Sequence, residues 1–256
     1  MTEISFPKPE NYPELVDLWR QAFGDTNEFI DVFMNWAFSP SRCRCILLDG
    51  KLVAALYWFD CFCEGKPCAY IYAVATDEAH RGKGLCHALM SDTHELLTQK
   101  GYACALLVPA QKNLAELYGG MGYEYCDTGL VRRLAFARDE YAEIRSVSKR
   151  EYIALRGKLL PEGGVVQQGE SIDFLVAQGY KLFAGENFVF AAHIPENLCT
   201  LYVPEFLGDT SSIHGIVKKF RCVNCRYRIP GDKPYAMYLP LADNSFAPTY
   251  LGLAFD

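Results

Sequence analysis

Nowhere in these 256 residues does an apolar run reach the length needed to cross a bilayer. No membrane-spanning helix is therefore expected. Positive charge is also scarce: 25 lysines and arginines face 31 aspartates and glutamates, a formal net charge of −6. That balance argues against a general nucleic-acid binder and leans weakly toward a cationic small substrate. Low-complexity segments are missing, and only 22% of residues are charged, so disorder is not expected either. The opening residues, Met1 to Glu10, show no basic region followed by an apolar one, and no export signal is read there. Histidine is sparse, and His80, His87, His94, His193 and His214 show no ligand grouping.

Cysteine is the exception to this austerity, with 11 residues. Without an export signal they are expected to be reduced thiols in the cytoplasm. Cys222 and Cys225 have a zinc-like spacing, but no second pair with such spacing follows. Cys43 with Cys45, and Cys61 with Cys63, are spaced to share a strand face and read as small buried hydrophobes. No metal site is expected.

Half of the residues are apolar and 14% aromatic, ample for packed cores. The length suits one large domain or two of about 130 residues. A short strand at Glu3–Phe6 precedes a helix opened by Asn11 and Pro13, with Tyr12, Leu15, Val16, Trp19 and Phe23 on its apolar face. Gly24-Asp25-Thr26 breaks the chain before a second helix bearing Phe29, Ile30, Phe33 and Trp36. Strands follow at Cys43–Leu48 and Leu52–Phe59, joined by Asp49-Gly50, and a third runs from Tyr70 to Thr76. A long helix, a strand at Tyr102–Val108, a short helix at Asn113–Met121 and further strand complete the first half.

The same order recurs after residue 138. Ser148-Lys-Arg-Glu151 is a capping box. Two helices, three strands (with turns at Gly185–Asn187 and Pro195–Asn197), a helix ending near Phe220 and a strand at Arg221–Ile229 follow. The fold class expected is mixed α/β (α+β), with two tandem domains, 1–137 and 138–256. Each is a mixed, mostly antiparallel sheet flanked by helices.

Between the third strand and the long helix lies Arg81-Gly82-Lys83-Gly84-Leu85-Cys86. Free amides at a helix start, glycines that admit a ligand to the backbone, and two cations make an anion site suited to a phosphate or pyrophosphate. The loop resembles the acyl-CoA loop of the GNAT N-acetyltransferase superfamily, Arg/Gln-x-x-Gly-x-Gly/Ala, with Cys86 in the place of the last small residue. Ala115-Glu-Leu-Tyr118-Gly-Gly-Met-Gly122-Tyr123 resembles that superfamily's later Ala-x-x-x-Tyr-x-x-x-Gly-Phe/Tyr segment. The tandem arrangement and Pro109-Ala110 look similar to Eis-type two-domain members.

The resemblance implies acetyl-CoA as co-substrate and direct attack by an amine of a small molecule or peptide. Tyr118 would protonate the departing thiolate. It also implies that backbone groups of Val74, Ala75 and Thr76 hold the pantetheine arm and thioester, and that Arg81 to Cys86 hold the pyrophosphate. Many members place a glutamate thirteen residues before the loop arginine, where this chain has Cys68. Tyr70, Tyr72, Asp60, Glu64 and the C-terminal carboxylate of Asp256 are the other candidates for the base. The second half has Phe206-Leu-Gly208-Asp-Thr-Ser-Ser-Ile-His214 where a glycine loop would stand, so it reads as a degenerate copy without CoA. A non-catalytic acyl-CoA sensor and a metal-dependent interaction protein remain as alternatives.

Overall fold

The computed structural model describes residues 2–194, 199–242 and 246–255. The turn expected at Pro195–Asn197 and the carboxylate of Asp256 lie outside the described residues.

The first half begins with β1 (Thr2–Ser5), α1 (Tyr12–Phe23) and α2 (Asn27–Trp36). Gly24 adopts a left-handed conformation that stops α1, and Thr26 caps α2 by accepting from the Phe29 amide. Strands β2 (Cys43–Leu48), β3 (Lys51–Cys63) and β4 (Lys66–Thr76) form an antiparallel meander. Then come α3 (Leu85–Gln99), β5 (Cys104–Leu107), α4 (Lys112–Gly119), β6 (Glu124–Tyr125) and β7 (Gly129–Phe136). Leu15 and Trp19 of α1 and Ile30 and Phe33 of α2 are buried as their spacing predicts, and Leu18 is buried beside them. Phe23 and Trp36 are exposed instead.

The second half runs through β8 (Arg145–Ser146), α5 (Lys149–Leu159), β9 (Val166–Gln167), α6 (Glu170–Ala177), β10 (Lys181–Ala184) and β11 (Phe188–Ala192). It continues with β12 (Thr200–Val203), β13 (Phe206–Gly208), α7 (Ile213–Lys219), β14 (Asn224–Gly231) and β15 (Met237–Pro240). The plan of the first half recurs in outline, with an extra short strand, β9, between the two helices and no counterpart of α4. Strand β8 pairs β10 as β1 pairs β2, and β10 pairs β11 as β2 pairs β3. The counterpart of β4 is divided into β12, parallel to β14, and β13, antiparallel to β11. In the first half, β4 alone makes both pairings, with β5 and with β3.

The halves exchange their last strands. Strand β7 leaves the first half to pair with β14 over its whole length, and β15 inserts between β5 and β6. The division expected at 137/138 is thus crossed in both directions by the sheets. A common aromatic core joins the halves: Phe174 of α6 meets Phe33 and Phe59, and Phe255 of the C-terminal tail lies 4.9 Å from Phe59.

Candidate functional site

Strand β4 departs from regular pairing where the site begins. Ala55 pairs with Ala75 and Tyr57 with Tyr72, so two residues, Ala73 and Val74, stand opposite the single Leu56. This is a β-bulge, and Ala73 takes a φ of 48° within it. Pairing between β4 and β5 covers only Cys68–Tyr70 against Cys104–Leu106. Beyond Tyr70 the two parallel strands part, leaving backbone groups of β4 turned toward a cleft.

Past Thr76 a short helical turn leads to the loop. Gly82 and Gly84 both adopt left-handed φ angles, 73° and 77°, which only glycine takes without strain. A Cβ added at either would meet nothing within 4 Å. The backbone there lies open to a ligand. Arg81 Nε donates to the Thr76 carbonyl at 3.1 Å and Lys83 Nζ to the Ala79 carbonyl at 3.0 Å, so the two cations are tethered beside the loop. Gly84 caps α3 without a side-chain acceptor, and the first-turn amides of the helix have no intrahelical partner. The sequence-predicted residues Arg81 to Cys86 therefore form one contiguous cationic turn with its amides available.

A cavity of about 1050 Å³ opens at the parting of β4 and β5. Ile71, Ala73 and Val74 line it from β4, and Leu107 and Val108 from the end of β5. Leu114 and Tyr118 enter from α4. The predicted Val74 and Tyr118 thus face one space, while Ala75 is buried in the core. Tyr118 is 6% exposed, and burial, with Cys86 nearby, drives its phenol pKa well above the ordinary value. It is a protonated hydroxyl. Behind it Tyr123 meets the Tyr118 ring and bonds to His94 Nε2 at 2.8 Å.

The opposite wall comes from both halves. Trp19, Phe23, Asp25 and Phe29 project from α1, α2 and their connection. Leu175 lies in α6, Gln178 and Tyr180 follow it, and Ala254 and Phe255 belong to the tail. The exposed Phe23 is explained by this position.

Of the expected base candidates, Cys68 is fully buried, with its thiol directed at the Lys66 carbonyl, and does not line the cavity. Asp60 lies away from it too, accepting from Tyr102 and paired with Arg42. Glu64 borders a separate small cleft. Tyr70 and Tyr72 do line the cavity, and the Tyr72 hydroxyl donates to the Phe255 carbonyl at 2.9 Å. Sequence reasoning missed Asp25, the one described carboxylate on the wall. It accepts from Trp19 Nε1 at 2.8 Å. Its signal was present in the Gly24-Asp25-Thr26 break between two amphipathic helices. The arginines of β7 and β14 (Arg132, Arg133, Arg226, Arg228) were likewise not foreseen as lining residues.

In the second half the corresponding turn is closed. Asp209 accepts from the Ser211 amide at 2.9 Å and from its hydroxyl, which holds its carboxyl below the usual range. A carboxylate thus sits where an anion would have to bind. Among the described residues no group of three side chains is placed to hold a metal ion, and all 11 cysteines are free thiols.

Residues 3–126 match the family model described as an acetyltransferase (GNAT) domain. No curated protein matches the chain by sequence. Solved structures share the whole fold. A GCN5-related N-acetyltransferase from Anabaena variabilis superposes with a TM-score of 0.73 at 13% identity, over 94% of this chain and 73% of that one. Eis1 from Mycobacterium abscessus gives 0.65 at 13% identity, covering 94% and 74%. A tandem GNAT protein from the clavulanic acid biosynthesis pathway gives 0.56 at 12% identity, covering 96% and 100%. Residues 3–126 therefore form a GNAT acetyltransferase domain by their family match, and the chain as a whole shares the fold of these structures.

Proposed function

We propose that this protein transfers the acetyl group of acetyl-CoA to an amine by direct attack, using only its first half for the cofactor. One observation carries the reading: the bulged strand β4 and the buried phenol of Tyr118 line one cavity where β4 and β5 part, and the open glycine turn follows β4 in the chain. Pyrophosphate is taken by the amides of Gly82 to Cys86 with Arg81 and Lys83 beside them. The pantetheine arm runs along Val74, Ala75 and Thr76, whose backbone groups hold the thioester carbonyl and stabilise its oxyanion. The acceptor ammonium first loses a proton to Asp25, directly or through water. The free amine attacks the carbonyl carbon, the C–S bond breaks as the thiolate takes its proton from Tyr118, and the second proton shed by the new amide nitrogen passes through water to restore the phenol. Residues 138–256 supply part of the acceptor wall and hold no CoA of their own, because Asp209 occupies the turn. The many buried thiols favour a reducing compartment, the cytoplasm.

A second reading, a non-catalytic acyl-CoA sensor, is motivated by Cys68 in the position of the expected glutamate. Replacing Tyr118 with Phe separates the two. The enzyme reading expects turnover to fall by roughly 10²–10⁴, the usual contribution of a positioned proton donor, with acetyl-CoA affinity kept. Wild-type protein that binds acetyl-CoA yet acetylates no amine across a broad panel supports the sensor instead.

A further inference from the structure

The cavity wall formed by β7, β14 and β12 is rich in arginine. In the ladder of β7 and β14, Arg132 stands directly opposite Arg228, and Leu134 opposite Arg226. On the other flank of β14, Tyr202 of β12 stands opposite Arg226. Opposed residues and residues two apart share a sheet face, so Arg132, Arg226, Arg228, Leu134 and Tyr202 form one surface. All five line the cavity. The other face of the same ladder, with Ala135 and Cys225, is packed in the core.

Like charges directly opposite one another destabilise a sheet. Arg228 is partly occupied, donating to the Tyr235 hydroxyl at 2.7 Å. Arg132 and Arg226 make no ion pair among the described residues, although the chain has 31 acidic side chains to draw upon. A planar guanidinium pair over an apolar floor of Leu134 and Tyr202 matches a carboxylate or phosphate borne on an apolar body. We infer that the acceptor is an amine whose molecule also carries a carboxylate or phosphate, and that Arg132 and Arg226 bind that group while Asp25 receives the ammonium end. The inference rests on the acetyltransferase reading and turns against the preference for cationic acceptors suggested by net charge. It adds the substrate class that the loop and Tyr118 leave open.

The test uses the full chain saturated with CoA, so that the anion-binding loop is already filled. Glutarate and inorganic phosphate are titrated calorimetrically into wild type and the Arg132→Gln/Arg226→Gln variant, and CoA affinity is measured for both proteins. Both arginines point away from the packed face, so the variant is expected to melt with the wild type. The expected result is saturable binding of at least one anion by CoA-loaded wild type, weakened tenfold or more in the variant, with CoA affinity unchanged. Which anion binds distinguishes a carboxylate from a phosphate acceptor. No binding of either anion, or equal binding by the variant, overturns the inference. A variant that loses CoA affinity instead assigns the arginines to the cofactor's phosphates and also overturns it. Wild type that binds no CoA at all fails the acetyltransferase reading, a separate outcome seen before any anion is added.

Discussion

At the scale of single residues, the site is built from groups whose protonation is set by burial. Tyr118 is kept protonated by burial, and Tyr123 behind it is likewise raised well above its ordinary value by burial. His94, bonded to Tyr123, is shifted the other way: burial, with His87 adding repulsion, lowers its pKa from 6.5 to about 4. The folded protein thus refuses a proton that the unfolded chain accepts. Stability from this neutral imidazole is present above about pH 6.5 and is lost as pH falls toward 4, where the folded state begins to protonate. The expected loss over that interval is on the order of 2 kcal/mol. Urea unfolding at pH 7.5 and pH 4.5, in wild type and His94→Gln, measures it. The variant should show a smaller fall between the two values; an equal fall refutes the assignment. Tyr118 and Arg81 could be singled out as candidates in the sequence because their motifs are local. Asp25, Arg132 and Arg226 were not, because only tertiary packing brings residues so far apart in sequence to one cavity.

At the scale of elements, the two copies of the plan differ most in one strand. In the first half β4 bends through a bulge and stays continuous, leaving a cleft beside β5. In the second half its counterpart breaks at Pro204-Glu205, and Glu205 is buried there against Arg156. Arg156 Nη2 donates to Glu205 at 3.1 Å and to Gln167 at 3.3 Å, while Nη1 donates to the Val165 carbonyl at 3.2 Å. The Tyr250 hydroxyl completes the carboxylate's shell at 2.9 Å. Because both charges are 1% exposed, removing one strands the other without water. Arg156→Ala should cost about 3–5 kcal/mol. The double change Arg156→Met/Glu205→Leu should recover most of it, since a well-packed apolar pair replaces a desolvated ionic one. Chemical denaturation of the three proteins decides the matter. A loss below about 1 kcal/mol in the single variant would contradict the buried pairing.

At the scale of the whole molecule, the two halves are one structure. The order of elements, two helices then a meander, a helix and a strand, was legible because amphipathic periodicity and turn residues are written locally. The exchange of β7 and β15 was not. Both are ordinary strands whose alternation suits either sheet, so their partners are chosen by packing and not by sequence neighbours. The exchange matters for function because β7 carries Arg132 across to β14, and β15 seals the edge of β5 beside the cleft. The proposed acceptor wall therefore exists only in the assembled chain, whereas the proposed cofactor turn belongs wholly to the first half. That asymmetry makes cofactor binding by one half the central claim. It is tested most directly by calorimetric titration of acetyl-CoA into the full chain, wild type beside Arg81→Glu/Gly84→Asp. The account predicts one acetyl-CoA per chain for wild type and at least a tenfold weaker affinity in the variant, whose added carboxylates repel the pyrophosphate. Two molecules per chain, no binding by wild type, or binding undiminished in a folded variant would contradict it.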